Sequence, residues 1–252
     1  MRDKQQRRLQ MRSSLADVEL HGNYLYSTLF NDLTRLVKEL QLNLKNDKGA
    51  IAEYYLKKNR QVQEYEADFN INLNNVTPLV NLANLNLGIS QKTKITGKFT
   101  NGITSSLQAF STVDSISVSG KHFLENEIEF SGSKFRDSVF VLAMLTINSN
   151  RQRLGNALNT HNLFSETIWD RDHIDFNLDA DQENSTNFIR LKSEIDFLKD
   201  STRIKILPSR LNVLNKEWKV NQKNFTLNRG KEWYIHQLQL FNDDESILID
   251  GA

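Results

Sequence analysis

The chain has 252 residues, with 32 basic and 31 acidic side chains that leave a net charge of +1. This length suits one large domain or two small ones, and the near-zero charge gives no single-signed field that would favour nucleic acid as a partner. The chain contains no cysteine, which excludes disulfides, thiol catalysis and thiolate metal sites.

The first segment, residues 1–26, is predicted to form strands. It carries several arginines but no apolar stretch of the kind found in a signal peptide. No window of the chain reaches the roughly 18 unbroken apolar residues that a membrane-spanning helix needs.

Residues 27–64 predict a helical insert. Asn31 is the expected N-cap, the polar run 46–49 marks the expected helix end, and residues 51–62 fit either a second short helix or a strand. The apolar residues of the first helix recur at helical spacing and form one stripe, which we expect either to pack on a sheet or to plug its apolar face: Leu33, Leu36, Val37, Leu40 and Leu44.

Residues 65–252 predict a repetitive β region. Apolar residues alternate with polar ones, as in Phe69, Ile71 and Leu73, so that each strand offers one apolar face. Turn signals rich in asparagine recur about every 8–12 residues, which is typical of a long antiparallel meander. After Pro78, Leu79, Leu82 and Leu85 predict one further helical turn or two.

No motif for catalysis or cofactor binding is present. The five histidines are scattered and form no metal-binding pair along a helix. The acidic stretch 170–175 is the best metal candidate, but its acids alternate with Ile174 and Phe176, which is typical of the solvated face of a strand. We therefore predict no enzyme activity, no cofactor and no metal site. Aromatic residues near lysines, at 216–219 and 231–234, fit nucleic-acid or sugar binding less well than cross-strand packing.

Several short motifs occur in an order that is similar to one family. They are ADVELHGNYLYSTL at 16–29, FNINLNNVTPL at 69–79, IDFNL at 174–178, ILPSRLNVLNKEWKVN at 206–221 and, at the end, WYIHQLQL and ILIDG at 233–240 and 247–251. Together they resemble the TamB family of translocation and assembly module proteins, in the AsmA-like superfamily, in its Bacteroidota form. Family members are far longer, so the chain is expected to be an internal fragment without the membrane anchor.

The resemblance implies a long β-sheet curled into an open apolar groove, a β-taco, in a protein anchored in the inner membrane and extending through the periplasm. It also implies transport of phospholipid between the two membranes, and assembly or secretion of outer-membrane proteins with a β-barrel partner that binds outside this fragment.

The alternating pattern is compatible with this function, because lipid tails would cover the apolar face. The alternative is a non-enzymatic β-sandwich or β-solenoid binding module, for glycan or protein. The residues predicted to line the groove are Ile174, Phe176, Leu178, Ile189, Leu191, Trp218, Val220, Phe225, Leu227, Trp233, Ile235, Leu238, Leu240, Ile247 and Ile249.

Overall fold

The computed structural model describes residues 6–57, 63–82, 86–136, 138–155 and 158–251. In this part of the chain, 17 strands form one sheet and three helices are present. The helices are α1 (Tyr26–Leu44), α2 (Lys48–Lys57) and α3 (Thr77–Leu82). The strands are β1 (Arg7–Arg12), β2 (Ala16–Gly22), β3 (Tyr65–Leu73), β4 (Leu87–Ile89), β5 (Thr93–Asn101), β6 (Thr104–Val118), β7 (Lys121–Phe135), β8 (Leu142–Arg153), β9 (Asn159–Asp170), β10 (His173–Gln182), β11 (Phe188–Phe197), β12 (Thr202–Ile206), β13 (Arg210–Val213), β14 (Lys216–Val220), β15 (Phe225–Arg229), β16 (Glu232–Phe241) and β17 (Ser246–Gly251).

The strands pair in chain order and every pair is antiparallel, which confirms the predicted meander. Three positions in the sheet are shared by two short strands. β4 and β5 both pair with β6, β12 and β13 both pair with β11, and β14 and β15 both pair with β16. The meander therefore runs without a crossover from β1 at one edge to β17 at the other.

A buried asparagine stabilises one of these interruptions. Asn224 lies just before β15, and its side chain accepts a hydrogen bond from the Ile206 amide and donates one to the Ile206 carbonyl, both at 2.8 Å. It therefore satisfies both backbone groups of Ile206 where the neighbouring strand is broken. Pro208, which has no N–H to donate, lies in the matching break between β12 and β13.

The predicted helical insert forms the helical hairpin α1–α2. α1 begins at Tyr26, five residues before the predicted cap Asn31, and its N-cap residue Leu25 makes no side-chain capping bond. The helix ends after Leu44 as expected, because Asn46 takes the left-handed φ of 53° that commonly terminates helices. Asp47 accepts a hydrogen bond from the Ala50 amide at 2.9 Å, so α2 follows at once and residues 48–57 are helical.

α3 confirms the helical turn predicted after Pro78, while Leu85 lies outside the described residues. Within the described ranges, none of the three helices combines the length and the apolar character that a membrane crossing requires.

α1 runs across the strands at one end of the sheet. Polar contacts join Asp32 to β3, Arg35 to β5, Glu39 to β7 and Asn46 to the turn between β11 and β12. From Asp32 to Asn46 a helix rises about 21 Å, whereas the eight strand spacings from β3 to β12 measure about 38 Å along the sheet. The sheet must therefore bend towards α1 to make all four contacts.

Candidate functional site

The ladder register assigns every strand residue to one of two faces of the sheet, because residues directly opposite each other in a ladder point the same way. Starting from buried Leu20, the register passes through Phe69 to Gly97 and on across the sheet to Phe176 and Ser193. The same face carries the residues that pack against α1. We call it the helix face, and the other the opposite face.

The two faces differ sharply in chemistry. The helix face is mainly aliphatic and aromatic in β2 and β3 and from β10 to β17, whereas β6 and β9 place several serines and other polar residues on it. The opposite face is mainly charged or amide-bearing, with ladders such as Asp175 beside Glu194 and Lys205 beside Glu194. The sheet therefore keeps most of its apolar side chains on one side, as the alternation predicted, with exceptions such as Phe110 and Ile168 on the opposite face of β6 and β9.

Thirteen of the fifteen residues predicted to line a groove lie on the helix face. Leu178 pairs with Leu191, Leu211 links Ile189 to Trp218, and Val220 pairs with Leu240. The thirteen are Ile174, Phe176, Leu178, Ile189, Leu191, Trp218, Val220, Trp233, Ile235, Leu238, Leu240, Ile247 and Ile249.

Phe225 and Leu227 are the two exceptions. Their neighbour Thr226 pairs with Ile204 on the helix face, so both side chains point to the opposite face. There the Phe225 ring packs against His236 at a centroid distance of 4.7 Å and against Tyr234 at 6.2 Å. The alternation was detected correctly, but sequence spacing does not show which of two possible faces a short strand presents.

A bulge in β16 keeps its two apolar pairs on the same face. Trp233 and Ile235 have odd numbers, whereas Leu238 and Leu240 have even numbers, yet all four lie on the helix face. The register shifts between Ile235 and Leu238, and Gln237 takes a φ of 45°. A residue inserted in this way re-aims the rest of a strand.

The helical hairpin covers only one end of the helix face. Leu29 and Leu36 of α1 are buried against Leu20 and Phe99. Leu40 also contacts a second buried cluster, which consists of Val141, Trp169, Ile174 and Phe197. Farther along the strands, Phe176, Leu178 and Leu191 are only partly buried, and at the β17 edge Ile247 and Ile249 are about half exposed, at 52% and 49%.

Within the helix stripe, Leu36 is buried and Leu33 and Leu40 are partly buried, whereas Val37 and Leu44 are 47% and 57% exposed. Their inclusion in the packed stripe was wrong. The buried face of α1 lies beside the predicted stripe and includes two acids, Asp32 and Glu39.

These acids form a buried polar network that the sequence did not reveal. Lys134 Nζ of β7 lies 3.3 Å from Glu39, with both side chains at most 3% exposed. Tyr65 donates to Asp32 at 2.8 Å, and Arg35 ion-pairs with Asp32 while donating to Asn101 at 3.1 Å. The network joins α1 to three strands.

Two tyrosines complete the network around Glu39. Tyr54 and Tyr55 of α2 each donate a hydrogen bond to its carboxylate at 3.2 Å. Burial, together with the neighbouring Glu39 charge, raises the pKa of Tyr54 to about 12 and also raises that of Tyr55. Both hydroxyls therefore stay protonated and keep donating.

One histidine makes a charged cluster on the opposite face. His173 Nδ1 lies 2.8 Å from Asp196, and Arg203 also donates to Asp196. The hydrogen bond to Asp196 raises the pKa of His173. In the described part of the chain, no three His, Asp or Glu side chains are grouped so that they could hold a metal ion, and the acidic stretch 170–175 lies at the turn between β9 and β10.

No protein-family model, curated protein or solved structure matches the chain. The candidate site therefore rests on the geometry of the sheet: one broad apolar face, covered by α1–α2 at one end, and one charged face.

Proposed function

We propose that this chain is part of a cell-envelope bridge protein that conducts phospholipid between the inner and outer membranes along the helix face, and that supports outer-membrane protein assembly. The observation that carries the proposal is the helix face itself. It is mainly apolar from β10 to β17, and the described helices cover only one end of it. The resemblance of motifs such as 206–221 to the TamB family supplies the periplasmic setting and the barrel partner.

Acyl chains have the right chemistry to cover this surface. Burying a methylene is worth about 0.8 kcal/mol, so a tail that buries ten of them gains about 8 kcal/mol. Side chains such as Leu178, Leu191 and Leu240 present similar aliphatic surfaces from strand to strand, which gives a tail nearly equal energy at successive positions. A lipid is thus held without being trapped, and no cofactor or catalytic residue takes part.

The helical hairpin blocks the proposed lipid path at one end of the helix face. α1 crosses the strands where Trp169 and Ile174 lie, so the lipid tails occupy the uncovered part of the helix face beyond Phe176. Trp218 and Trp233 would supply broad apolar walls, with their indole N–H groups free to reach the lipid headgroups.

The competing interpretation is a binding module built as a β-sandwich or a β-solenoid. The sandwich form requires two packed sheets, whereas all strands of the described residues belong to one sheet; the solenoid form stays an alternative that the lipid experiment below separates from lipid transport.

The test is lipid extraction and native mass spectrometry on the purified chain, comparing Leu191→Arg with Phe225→Arg. Both replace a partly buried apolar residue by arginine, but Leu191 lies on the helix face and Phe225 on the opposite face. We expect phospholipid to co-purify with the wild-type chain and with Phe225→Arg, and to be lost from Leu191→Arg. A wild-type chain that is folded and free of lipid, or equal lipid in both variants, would refute the proposal and favour the binding module.

A further inference from the structure

α1 carries a second row of apolar side chains that the sheet does not bury. Tyr26, Phe30, Val37 and Leu44 are spaced by four and seven residues, so they lie along one side of the helix. They are 40%, 58%, 47% and 57% exposed, and none of them carries a charge. We call this row the exposed stripe. At about 100° per residue, it lies about a quarter turn from the side of α1 that is buried against the sheet.

The polar contacts of α1 show which way its other flank faces. Arg35 donates to Asn101, the last residue of β5, at 3.1 Å. Glu39 lies 3.3 Å from Lys134, the last residue but one of β7, and it also accepts the hydrogen bonds from α2. The flank with Arg35 and Glu39 is therefore the one that faces the strand ends and α2.

The exposed stripe lies on the opposite flank of α1. Val37 is two residues from both Arg35 and Glu39, and two residues turn a helix by about 200°, so Val37 projects on nearly the opposite side. Since the strand ends lie on the flank with Arg35 and Glu39, the exposed stripe points along the strands towards their middle. There the helix face of the sheet is only partly buried, as at Phe176 and Leu178.

The exposed stripe and the sheet form two sides of one apolar corner. Leu33 and Leu40 of α1 pack against the buried cluster around Leu20 and Phe99, and they connect the stripe to the helix face. We propose that acyl tails of phospholipid occupy this corner and contact the exposed stripe, so that α1 is a binding wall of the lipid path as well as its end. This role for α1 rests on the proposed function, because it requires lipid on the helix face.

The length and chemistry of the exposed stripe fit a lipid tail. From Tyr26 to Leu44 the helix rises about 27 Å, whereas the tails of one leaflet span about 15 Å of a bilayer core about 30 Å thick. A tail in the corner can therefore lie wholly on apolar surface. A protein segment would bring backbone N–H and C=O groups that need hydrogen bonds when buried, and the stripe offers only the Tyr26 hydroxyl. A hydrocarbon tail has no such requirement.

Brominated lipid tests the contact directly. The chain has no cysteine, so a bimane fluorophore can be attached to Val37→Cys in the exposed stripe, to Leu191→Cys on the helix face, or to Leu56→Cys in α2, where Leu56 is 87% exposed. Each labelled chain is incubated with vesicles of phosphatidylcholine whose tails carry bromine, and the vesicles are then removed by size exclusion. Bromine in contact with bimane quenches it, so we expect the labels at positions 37 and 191 to lose at least about half of their fluorescence, relative to lipid without bromine, and the label at position 56 to be unchanged.

The three labels separate this role of α1 from the proposed function itself. Quenching of Leu191→Cys without quenching of Val37→Cys would overturn the contact with α1 and leave the proposed function standing; the exposed stripe would then be covered by something other than lipid. Quenching at neither position would overturn both. Equal quenching at all three positions, Leu56→Cys included, would show nonspecific adsorption of lipid and would also overturn the contact.

A second pair of variants needs no label. Val37→Arg and Leu56→Arg each place an arginine at an exposed apolar position of the helical hairpin, so both should fold as the wild-type chain does. We expect the phospholipid extracted from purified Val37→Arg to be at least about twofold below that from Leu56→Arg, because a charge is costly beside hydrocarbon tails. Equal amounts of lipid in the two variants would overturn the proposal.

Discussion

The buried pair of Lys134 and Glu39 should be the most sensitive point of the helical hairpin. Replacing Lys134 with methionine keeps the volume but removes the charge that faces Glu39 at 3.3 Å. Breaking a buried ion pair on one side costs about 3–5 kcal/mol. Tyr54 and Tyr55 still donate to the carboxylate, so we expect a somewhat smaller loss, about 2–4 kcal/mol, and a Tm lower by about 5–15 °C.

Urea unfolding, followed by tryptophan fluorescence, measures this loss. Lys121→Met changes an exposed lysine in the same strand and should stay within about 0.5 kcal/mol of wild type. The double variant Glu39→Leu/Lys134→Met should lose less free energy of unfolding than the sum of the single variants, because replacing both partners leaves neither of these two charges buried without the other. A loss below about 1 kcal/mol for Lys134→Met would show that α1 is not docked on β7 as described.

Two further predictions concern the sheet. Gly97→Ala should destabilise the chain by about 1–3 kcal/mol in the same urea assay, because the new Cβ would collide with the Gln108 carbonyl oxygen and the Phe69 ring. A neutral Gly97→Ala would contradict that close packing. His173→Gln tests the bond to Asp196: because the folded pKa of His173 is raised, its stabilisation is full below the unfolded pKa of about 6.5 and is lost as pH rises through the folded value. The free-energy difference between wild type and variant should be larger at pH 5.5 than at pH 8.5, by at most about 1 kcal/mol because solvent screens the pair; equal differences at both pH values would contradict it.

The class of fold was readable from the sequence because alternation is a local signal. In 174–178, apolar and polar residues alternate at every position, and this segment forms part of the strand β10. The signal for the end of α1 was also local, since asparagine at position 46 favours the left-handed conformation that ends the helix. The start of α1 was not, because Leu25 makes no side-chain capping bond and nothing at that position resembles a helix signal.

What the sequence did not reveal depends on partners that are distant along the chain. Asp32 and Glu39 look like solvent-facing residues of an amphipathic helix until Tyr65 and Lys134 are brought beside them. Phe225 was assigned to the wrong face for a related reason, since its orientation is set by the pairing of the neighbouring Thr226 with Ile204 in β12. The spacing of residues within one segment reveals neither the distant partners of the two acids nor the pairing between β12 and β15.

The charged face of this sheet points outwards from the bend, so the apolar helix face lies on the inside. That apolar face needs an apolar occupant where the helices do not cover it. An antiparallel sheet normally leaves its polar face to water and packs its apolar face on a core. Here Phe176, Leu178 and Leu191 on the helix face are only partly buried and lie beyond the part that α1 covers, so the two-helix hairpin leaves apolar surface uncovered. Either lipid tails cover the remainder, as the comparison of Leu191→Arg with Phe225→Arg examines, or further protein does.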